Sequence, residues 1–293
     1  MAAPAIWRFD AIGTPWQIET AKPLAASLRA EVELLVESFD REWSRFRPDS
    51  LVSSLARGGG SVPAPRDACA MLEAYGALSD ATGGAVNPLV GVSLERLGYD
   101  RALSLFDRGA VPAPADWRAL LTWGDRLAVS EPALVDVGAL GKGRLVDLVM
   151  AVIAPEASRD VVVDASGDLA MRGSTQRIGL EHPFDAGRAI GVWEVTDAAL
   201  CASATNRRAW GDGLHHVLDA RTGTPVRAIA ATWAVADSAM RADAVTTALF
   251  FDGGPRLAHD WGVEWVRMTT DGAVEWSPGC RAELFVRTAS VER

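Results

Sequence analysis

Asp243 and Thr247 are the pair of residues whose types and spacing most directly suggest chemistry. Residues four positions apart share one face of a helix, so this carboxylate and this hydroxyl would project together. Hard cations such as Mg²⁺ take oxygen ligands, commonly one or two carboxylates, and leave further positions to water and substrate phosphates. The pair is therefore compatible with a metal site that a substrate completes. Spacing alone favours a simpler alternative, in which Asp243 caps the helix and Thr247 bonds to a carbonyl one turn earlier.

A glycine-rich segment around Lys142 is the second candidate. It reads Asp-Val-Gly-Ala-Leu-Gly-Lys-Gly-Arg over residues 136–144 and leads into a helical pattern. Glycines let the backbone approach an anion, and a helix N-terminus adds partial positive charge. The segment is not a P-loop, because Gly143 stands where that motif has a serine or threonine. A tight strand-to-helix turn without a ligand explains the glycines equally well.

Two adjacent histidines, His215 and His216, precede an Asp-x-Arg turn at residues 219–221. Successive side chains of a strand point to opposite faces, so one imidazole would reach a cleft while the other packs or is solvated. Histidine is the side chain best suited to proton transfer near neutral pH. A structural histidine remains the alternative for either position.

The elements that would position these residues follow from periodicity and turn signals. Apolar spacing predicts helices over residues 24–39, 67–81, 145–153 and 242–251. Short apolar runs predict strands over residues 161–164, 190–195, 215–219, 230–236, 263–269 and 283–286, with surface loops near 57–66 and 108–118. Helices and strands do not alternate regularly, so the sequence predicts an α+β fold with mixed or antiparallel sheets and packed helices.

Composition narrows the class of protein. The 293 residues are 49% hydrophobic and 23% charged, which is typical of a soluble globular chain, and we expect a single domain over residues 1–293. A formal net charge of −9 argues against a nucleic-acid surface. Three dispersed cysteines argue against a disulfide framework or a structural zinc. With no export signal and no apolar run of about 18 residues, we expect a cytoplasmic protein without a membrane span, although a trimmed signal would leave the same sequence.

The order of the motifs resembles the FAD:protein FMN transferase family, the ApbE-type flavin transferases. The resemblance extends from Ala11 to about Gly253, and its two most specific segments are Asp136–Gly143 and Ala242–Thr247. The other similar segments are Ser44–Leu55, Gly83–Val90, Val163–Gly173, Ser203–Asn206 and His215–Gly223.

This resemblance implies an FAD cleft between two interlocked lobes, with Mg²⁺ near the pyrophosphate. Asp243 and Thr247 would be side-chain metal ligands, Ala139 would supply a backbone carbonyl, and Thr246 would belong to the same cluster. The residues implied to hold FAD are Ile12, Phe46, Ala85, Val86, Asn87, Asp136 and Lys142. His216 would accept a proton from the attacking hydroxyl, and Lys142 would add positive charge during the transfer.

The sequence departs from the family pattern at three places. Asn87 stands where an aspartate is usual, Ala202-Ser203-Ala204 replaces Thr-Ser-Gly, and Ala220 replaces a proline. The implied activity is Mg²⁺-dependent transfer of FMN from FAD to a Thr or Ser hydroxyl of an acceptor protein, with release of AMP. Three alternatives follow in order: a metal-dependent FAD pyrophosphatase giving FMN and AMP, a non-catalytic FAD-binding protein, and a structural or interaction domain.

Overall fold

The computed structural model describes residues 3–157 and 160–285. The helices are α1 (Ala26–Trp43), α2 (Leu51–Gly58), α3 (Ala68–Ala81), α4 (Gly91–Arg96), α5 (Trp117–Leu120), α6 (Gly141–Ile153), α7 (Ala239–Ala248) and α8 (Gly254–Asp260). The strands of the main sheet are β1 (Ala5–Ala11), β2 (Thr14–Thr20), β6 (Val161–Asp164), β7 (Asp168–Arg172), β10 (Ala199–Ala204), β15 (Ile229–Ala236), β16 (Glu264–Thr269) and β17 (Val274–Trp276). The remaining strands are β3 (Gly60–Pro63), β4 (Leu121–Thr122), β5 (Arg126–Val129), β8 (Thr175–His182), β9 (Asp185–Thr196), β11 (Ala209–Trp210), β12 (Leu214–His215), β13 (Leu218–Asp219), β14 (Thr224–Pro225) and β18 (Glu283–Leu284).

An eight-stranded sheet forms the centre of the protein. Its strands lie in the order β1-β2-β6-β7-β10-β15-β16-β17, and every neighbouring pair is antiparallel. All eight residues of β15 are buried. A strand that is buried on both faces reads as a continuous apolar run, which is why residues 229–236 lack polar alternation.

The sheet is covered on both faces, which gives a three-layer arrangement. Alternate residues of one strand enter different cores, because strand side chains point to opposite faces. Val163 of β6 belongs to the core shared with helices α6 and α7, whereas its neighbour Val162 packs with Trp193 of the sheet β18-β9-β8. Helices thus cover one face and a second sheet covers the other.

The α+β prediction is confirmed, and the four predicted helices and most predicted strands are present. The loop prediction near residues 57–66 is wrong, because β3 lies there and pairs with β5. The strand predicted over residues 215–219 is broken into β12 and β13. The last predicted strand is present as β18, but its end at Val286 lies outside the described residues.

In the described part of the chain, no helix has both the length and the apolar character needed to cross a bilayer.

Candidate active site

A cleft of about 1170 Å³ is lined by residues of the β1–β2 turn, of strands β7 and β10, and of helices α6 and α7. Small-molecule sites usually measure roughly 300–1,000 Å³, so this cleft is large enough for an elongated dinucleotide. The predicted site residues that line it are Ile12, Phe46, Ala85, Val86, Asn87, Asp136, Ala139, Lys142, His216, Asp243 and Thr247. Positions that are far apart in the sequence therefore meet in one cavity, and among the predicted residues only Thr246 does not line it.

Asp243 sits where α6 and α7 approach each other most closely. Its Oδ2 accepts a 2.9 Å hydrogen bond from the Gly143 backbone N–H, and the residue is only 4% exposed. Burial raises the pKa of this carboxyl well above its usual value, and the nearby charge of Asp168 raises it further. A buried carboxylate with so few partners is well suited to binding a cation.

The start of α7 shows that Asp243 is not a helix cap. The helix begins at Ala239, one turn before the predicted start, and Ser238 accepts a hydrogen bond from the Arg241 N–H. Asp147 of α6 accepts hydrogen bonds from the Ala239 and Met240 N–H groups at 2.7 and 2.9 Å. The capping alternative is therefore wrong for Asp243, which lies inside the helix.

Thr247, one helical turn after Asp243, and Ala139 add two further oxygen donors to the lining of the cleft. The Thr247 hydroxyl donates a 3.2 Å hydrogen bond to the Ala139 carbonyl, which lies 108 positions away in the chain. A carboxylate, a hydroxyl and a carbonyl are the hard oxygen donors that suit Mg²⁺. Within residues 3–157 and 160–285, no group of three or more His, Cys, Asp or Glu side chains could hold a metal ion. A cation here would therefore need this mixed donor set, together with oxygens of the substrate.

Thr246 takes a different position from its neighbour Thr247. It is fully buried, its hydroxyl donates a 2.7 Å hydrogen bond to the Asp243 carbonyl, and it lies 2.9 Å from the Ser203 hydroxyl. These contacts tie α7 to β10 behind the cleft. The geometry thus links Thr246 to the placement of Asp243 and does not bring its hydroxyl to the cleft.

Lys142 lies at the first turn of α6 and faces the turn between β6 and β7. Its ammonium donates hydrogen bonds to the carbonyls of Ala165 at 2.9 Å and Ser166 at 3.1 Å. The Asp168 carboxylate lies 3.3 Å away and is 1% exposed. Burial raises the pKa of Asp168, and the Lys142 charge opposes that rise. Asp168 lines the cleft, and sequence reasoning missed it although it ends the recognised Val-Asp-Ala-Ser-Gly-Asp segment.

The two histidines have separate roles. His215 Nδ1 accepts from the Val217 N–H at 3.3 Å, so its Nε2 carries the proton and donates to the Val226 carbonyl at 2.8 Å. His216 lines the cleft, and its buried Nδ1 has no hydrogen-bond partner in the described part of the chain. Burial, followed by the charge of Arg208, lowers the pKa of His216 to about 3. Its imidazole is therefore neutral at physiological pH, and one of its ring nitrogens has an unprotonated lone pair.

Asp136 and Phe46 meet at a buried arginine. Arg45 is 2% exposed and its Nε donates a 2.6 Å hydrogen bond to Asp136 Oδ2. Its guanidinium lies over the rings of Phe46 and Tyr99 at 4.1 and 4.9 Å from their centroids. The other oxygen of Asp136 accepts from the Gly138 N–H at 2.7 Å. Asp136 thus stabilises the wall of the cleft through hydrogen bonds within the protein. Tyr99 also lines the cleft and was not among the residues predicted from the sequence.

Asn87 also uses its side chain within the protein. Its Nδ2 donates to the Pro114 carbonyl and its Oδ1 accepts from the Leu89 N–H, both at 2.8 Å. These bonds fix the loop that carries Ala85 and Val86 along the cleft. Ile12 lies opposite, in the β1–β2 turn, with a φ of 46° that a branched side chain rarely adopts.

Gly143→Ala is expected to destabilise the protein by about 2 kcal/mol and to lower the affinity of the Asp243 carboxylate for a cation. A Cβ at this position would lie 2.7 Å from the Asp243 Cβ and collide with the Ala239 carbonyl, so α6 and α7 would have to separate. Denaturant unfolding and a metal titration check both effects. Gly124→Ala is the matched control, because a Cβ there has no atom of the described residues within 4 Å. Equal effects of the two substitutions would contradict this account of the contact.

Comparison with known proteins gives consistent results. A model of the ApbE family matches residues 12–266. A FAD:protein FMN transferase of Rhodobacter capsulatus is 28% identical, and the alignment covers 94% of this chain and 57% of that protein. A FAD:protein FMN transferase of Treponema pallidum (strain Nichols) is 29% identical, with 83% and 77% covered. The chain thus spans little more than half the length of the Rhodobacter relative.

Solved structures share the fold. The flavin transferase ApbE from Vibrio cholerae superimposes with a TM-score of 0.78 at 22% identity, covering 94% of this chain and 98% of that one. The ApbE protein from Thermotoga maritima gives 0.79 at 22% identity, with 94% and 97% covered. The three-layer arrangement described above is therefore the fold of these proteins.

Proposed function

Because this chain belongs to the ApbE family, we propose that it transfers FMN from FAD to a Thr or Ser hydroxyl of an acceptor protein and releases AMP. The observation that carries the proposal is that Asp243, Thr247 and Ala139 line one dinucleotide-sized cleft, with Thr247 bonded to the Ala139 carbonyl and one helical turn after Asp243. The two relatives named FAD:protein FMN transferase support the same activity.

The proposed cation is Mg²⁺, held by the Asp243 carboxylate, the Thr247 hydroxyl and the Ala139 carbonyl. When bound, it would neutralise pyrophosphate charge that otherwise repels an incoming oxygen. The chain has a formal net charge of −9, so an anionic substrate needs such a counter-charge. Thr246 would act indirectly, because its hydrogen bond to the Asp243 carbonyl fixes the turn of α7 that carries Asp243.

The proposed FAD contacts lie along the same cleft. Phe46 and Ile12 would pack against the flat ring systems, and the Ala85–Asn87 loop would supply backbone contacts. Asp136 would act together with Arg45, because their ion pair fixes the wall on which Phe46 lies. Lys142 would contribute positive charge near Asp243.

His216 is the proposed proton acceptor for the attacking hydroxyl. Its neutral imidazole lines the cleft and its Nδ1 has no partner among the described residues, whereas both ring nitrogens of His215 bond to the backbone. Accepting the hydroxyl proton makes the acceptor oxygen a better nucleophile toward the FMN phosphorus, and AMP leaves with the electrons of the broken P–O bond. The overall reaction thus converts FAD and the unmodified acceptor into flavinylated acceptor and AMP.

Product analysis tests the proposal against its rivals. The purified protein is incubated with FAD and Mg²⁺, with and without a peptide that contains an exposed threonine, and AMP and FMN are quantified. A transferase releases AMP in proportion to modified peptide. A FAD pyrophosphatase releases AMP and free FMN in equal amounts without any peptide, and a non-catalytic binding protein releases neither product. Either of the last two results would overturn the proposal.

A further inference from the structure

Deepening the proposed function, on which this inference rests, we infer that Lys142 and Asp168 form a positioning pair. The pair holds the turn of residues 165–168 as one wall of the FAD cleft, and Lys142 acts on FAD binding through that wall. Asp168 thereby gains a role in the reaction, as the counter-charge that keeps the Lys142 ammonium on the turn.

The contacts of the Lys142 ammonium are the first evidence for this pair. An ammonium has three N–H groups and no acceptor. Two of them donate to the carbonyls of Ala165 and Ser166. The Asp168 carboxylate lies 3.3 Å from the ammonium as an ion pair, without hydrogen-bond geometry. Most of the donor capacity of Lys142 is therefore used to hold the turn.

The turn itself shows what these contacts position. Ser166 and Gly167 have φ values of 56° and 104°, so two successive residues are in left-handed conformations. The Ser166 hydroxyl donates a 2.8 Å hydrogen bond to the Pro15 carbonyl, and the Gly167 carbonyl accepts from the Ala202 N–H at 2.9 Å. The turn thus connects α6 to the β1–β2 hairpin and to β10, both of which line the cleft.

The environment of Asp168 is the second evidence for this pair. It is 1% exposed, and neither carboxylate oxygen has a hydrogen-bond donor among the described residues. The Lys142 side chain is 21% exposed and is the one cation among the described residues that forms an ion pair with it. Removing one partner of a buried pair leaves an uncompensated charge and is strongly destabilising, whereas removing both is far less so. We therefore expect that replacing Asp168 together with Lys142 restores stability that replacing Lys142 alone removes.

Three variants test the inference: Lys142→Met, Asp168→Asn and the double variant. Lys142→Met is expected to lower Tm and to raise the KM for FAD roughly tenfold or more. Adding Asp168→Asn to Lys142→Met is expected to restore Tm and to recover part of the lost FAD affinity. The recovery of KM is the decisive readout, because a role in stability alone would restore Tm and leave KM unaffected by either substitution.

Two results would overturn the inference. The first is a fall in kcat of roughly a hundredfold in Lys142→Met, with the KM for FAD and Tm unchanged, as expected for a direct transition-state contact. The second is a double variant with no better FAD affinity or Tm than Lys142→Met. Equilibrium FAD binding and Tm are measured on all proteins, so the pair is tested even if the wild-type protein shows no transfer, which would refute only the proposed function.

Discussion

Asp243→Asn is expected to reduce Mg²⁺-dependent FMN transfer roughly a thousandfold and, at the same time, to raise the Tm of the metal-free protein. Asparagine keeps an oxygen that can accept the Gly143 N–H bond, but it cannot supply the negative charge that a cation requires. Without metal, the buried Asp243 carboxylate destabilises the folded protein. Replacing it is therefore expected to stabilise the protein by about 1–2 kcal/mol.

The stabilisation by Asp243→Asn has a predicted pH dependence. Burial raises the folded-state pKa of Asp243 well above its ordinary value of 3.8. The unfolded chain therefore loses this proton first as the pH rises, and the metal-free wild type loses stability above about pH 4. The advantage of the variant should be absent near pH 4 and grow toward neutral pH, because asparagine does not titrate.

Thermal unfolding with and without Mg²⁺ measures both effects of Asp243→Asn. The ion is expected to raise the Tm of the wild type and to leave that of the variant unchanged. Thr247→Ser is the matched control, because it keeps the hydroxyl beside Ala139 and should retain metal binding. A variant that is less stable than wild type without metal, or that still gains stability from Mg²⁺, would contradict the assignment of Asp243.

His216→Asn is expected to lower kcat by about a hundredfold or more while FAD binding changes little. The amide cannot accept the hydroxyl proton, but it remains polar and of similar size. His215→Asn is the matched control with a different outcome, because it breaks the hydrogen bond to the Val226 carbonyl and should reduce stability more than kcat. Stopped assays and FAD titration separate these outcomes.

The pH profile adds an independent test of His216. Since burial lowers its pKa to about 3, the imidazole of the free enzyme stays neutral across the ordinary assay range. The ratio of kcat/KM between wild type and His216→Asn should therefore be constant from about pH 8 to about pH 5. A fall of this ratio with a midpoint near 6.5 would show that His216 titrates like a solvated histidine.

Local sequence patterns predicted the helices but not their exact limits. Helix α7 starts at Ala239 and not Ala242 because Ser238, a local signal, and Asp147 of α6, 92 positions away, both cap its first N–H groups. A distant cap leaves no signal in the local periodicity. The region near residues 57–66 was predicted as a loop for the same kind of reason, since β3 exists through its pairing with β5.

The candidate site was predicted from the order of the motifs along the chain. The spacing of residues within each motif does not show that the motifs meet in one cleft. Asp243 and Thr247 share a helix face, so their proximity follows from helical geometry, but the Ala139 carbonyl joins them only through tertiary packing. The contacts of Lys142 with the 165–168 turn and the burial of Asp168 depend on how α6 lies against the sheet. Sequence reasoning therefore identified the residues of the cleft better than the roles that their contacts imply.

The most direct test of the central claim is the intact mass of an acceptor protein after incubation with this protein, FAD and Mg²⁺. We expect a mass increase equal to one FMN phosphodiester on a threonine or serine, its loss when EDTA is added, and its absence with Asp243→Asn. FAD cleavage that persists undiminished in metal-free protein, or an acceptor that stays unmodified while FAD is consumed, would contradict the account.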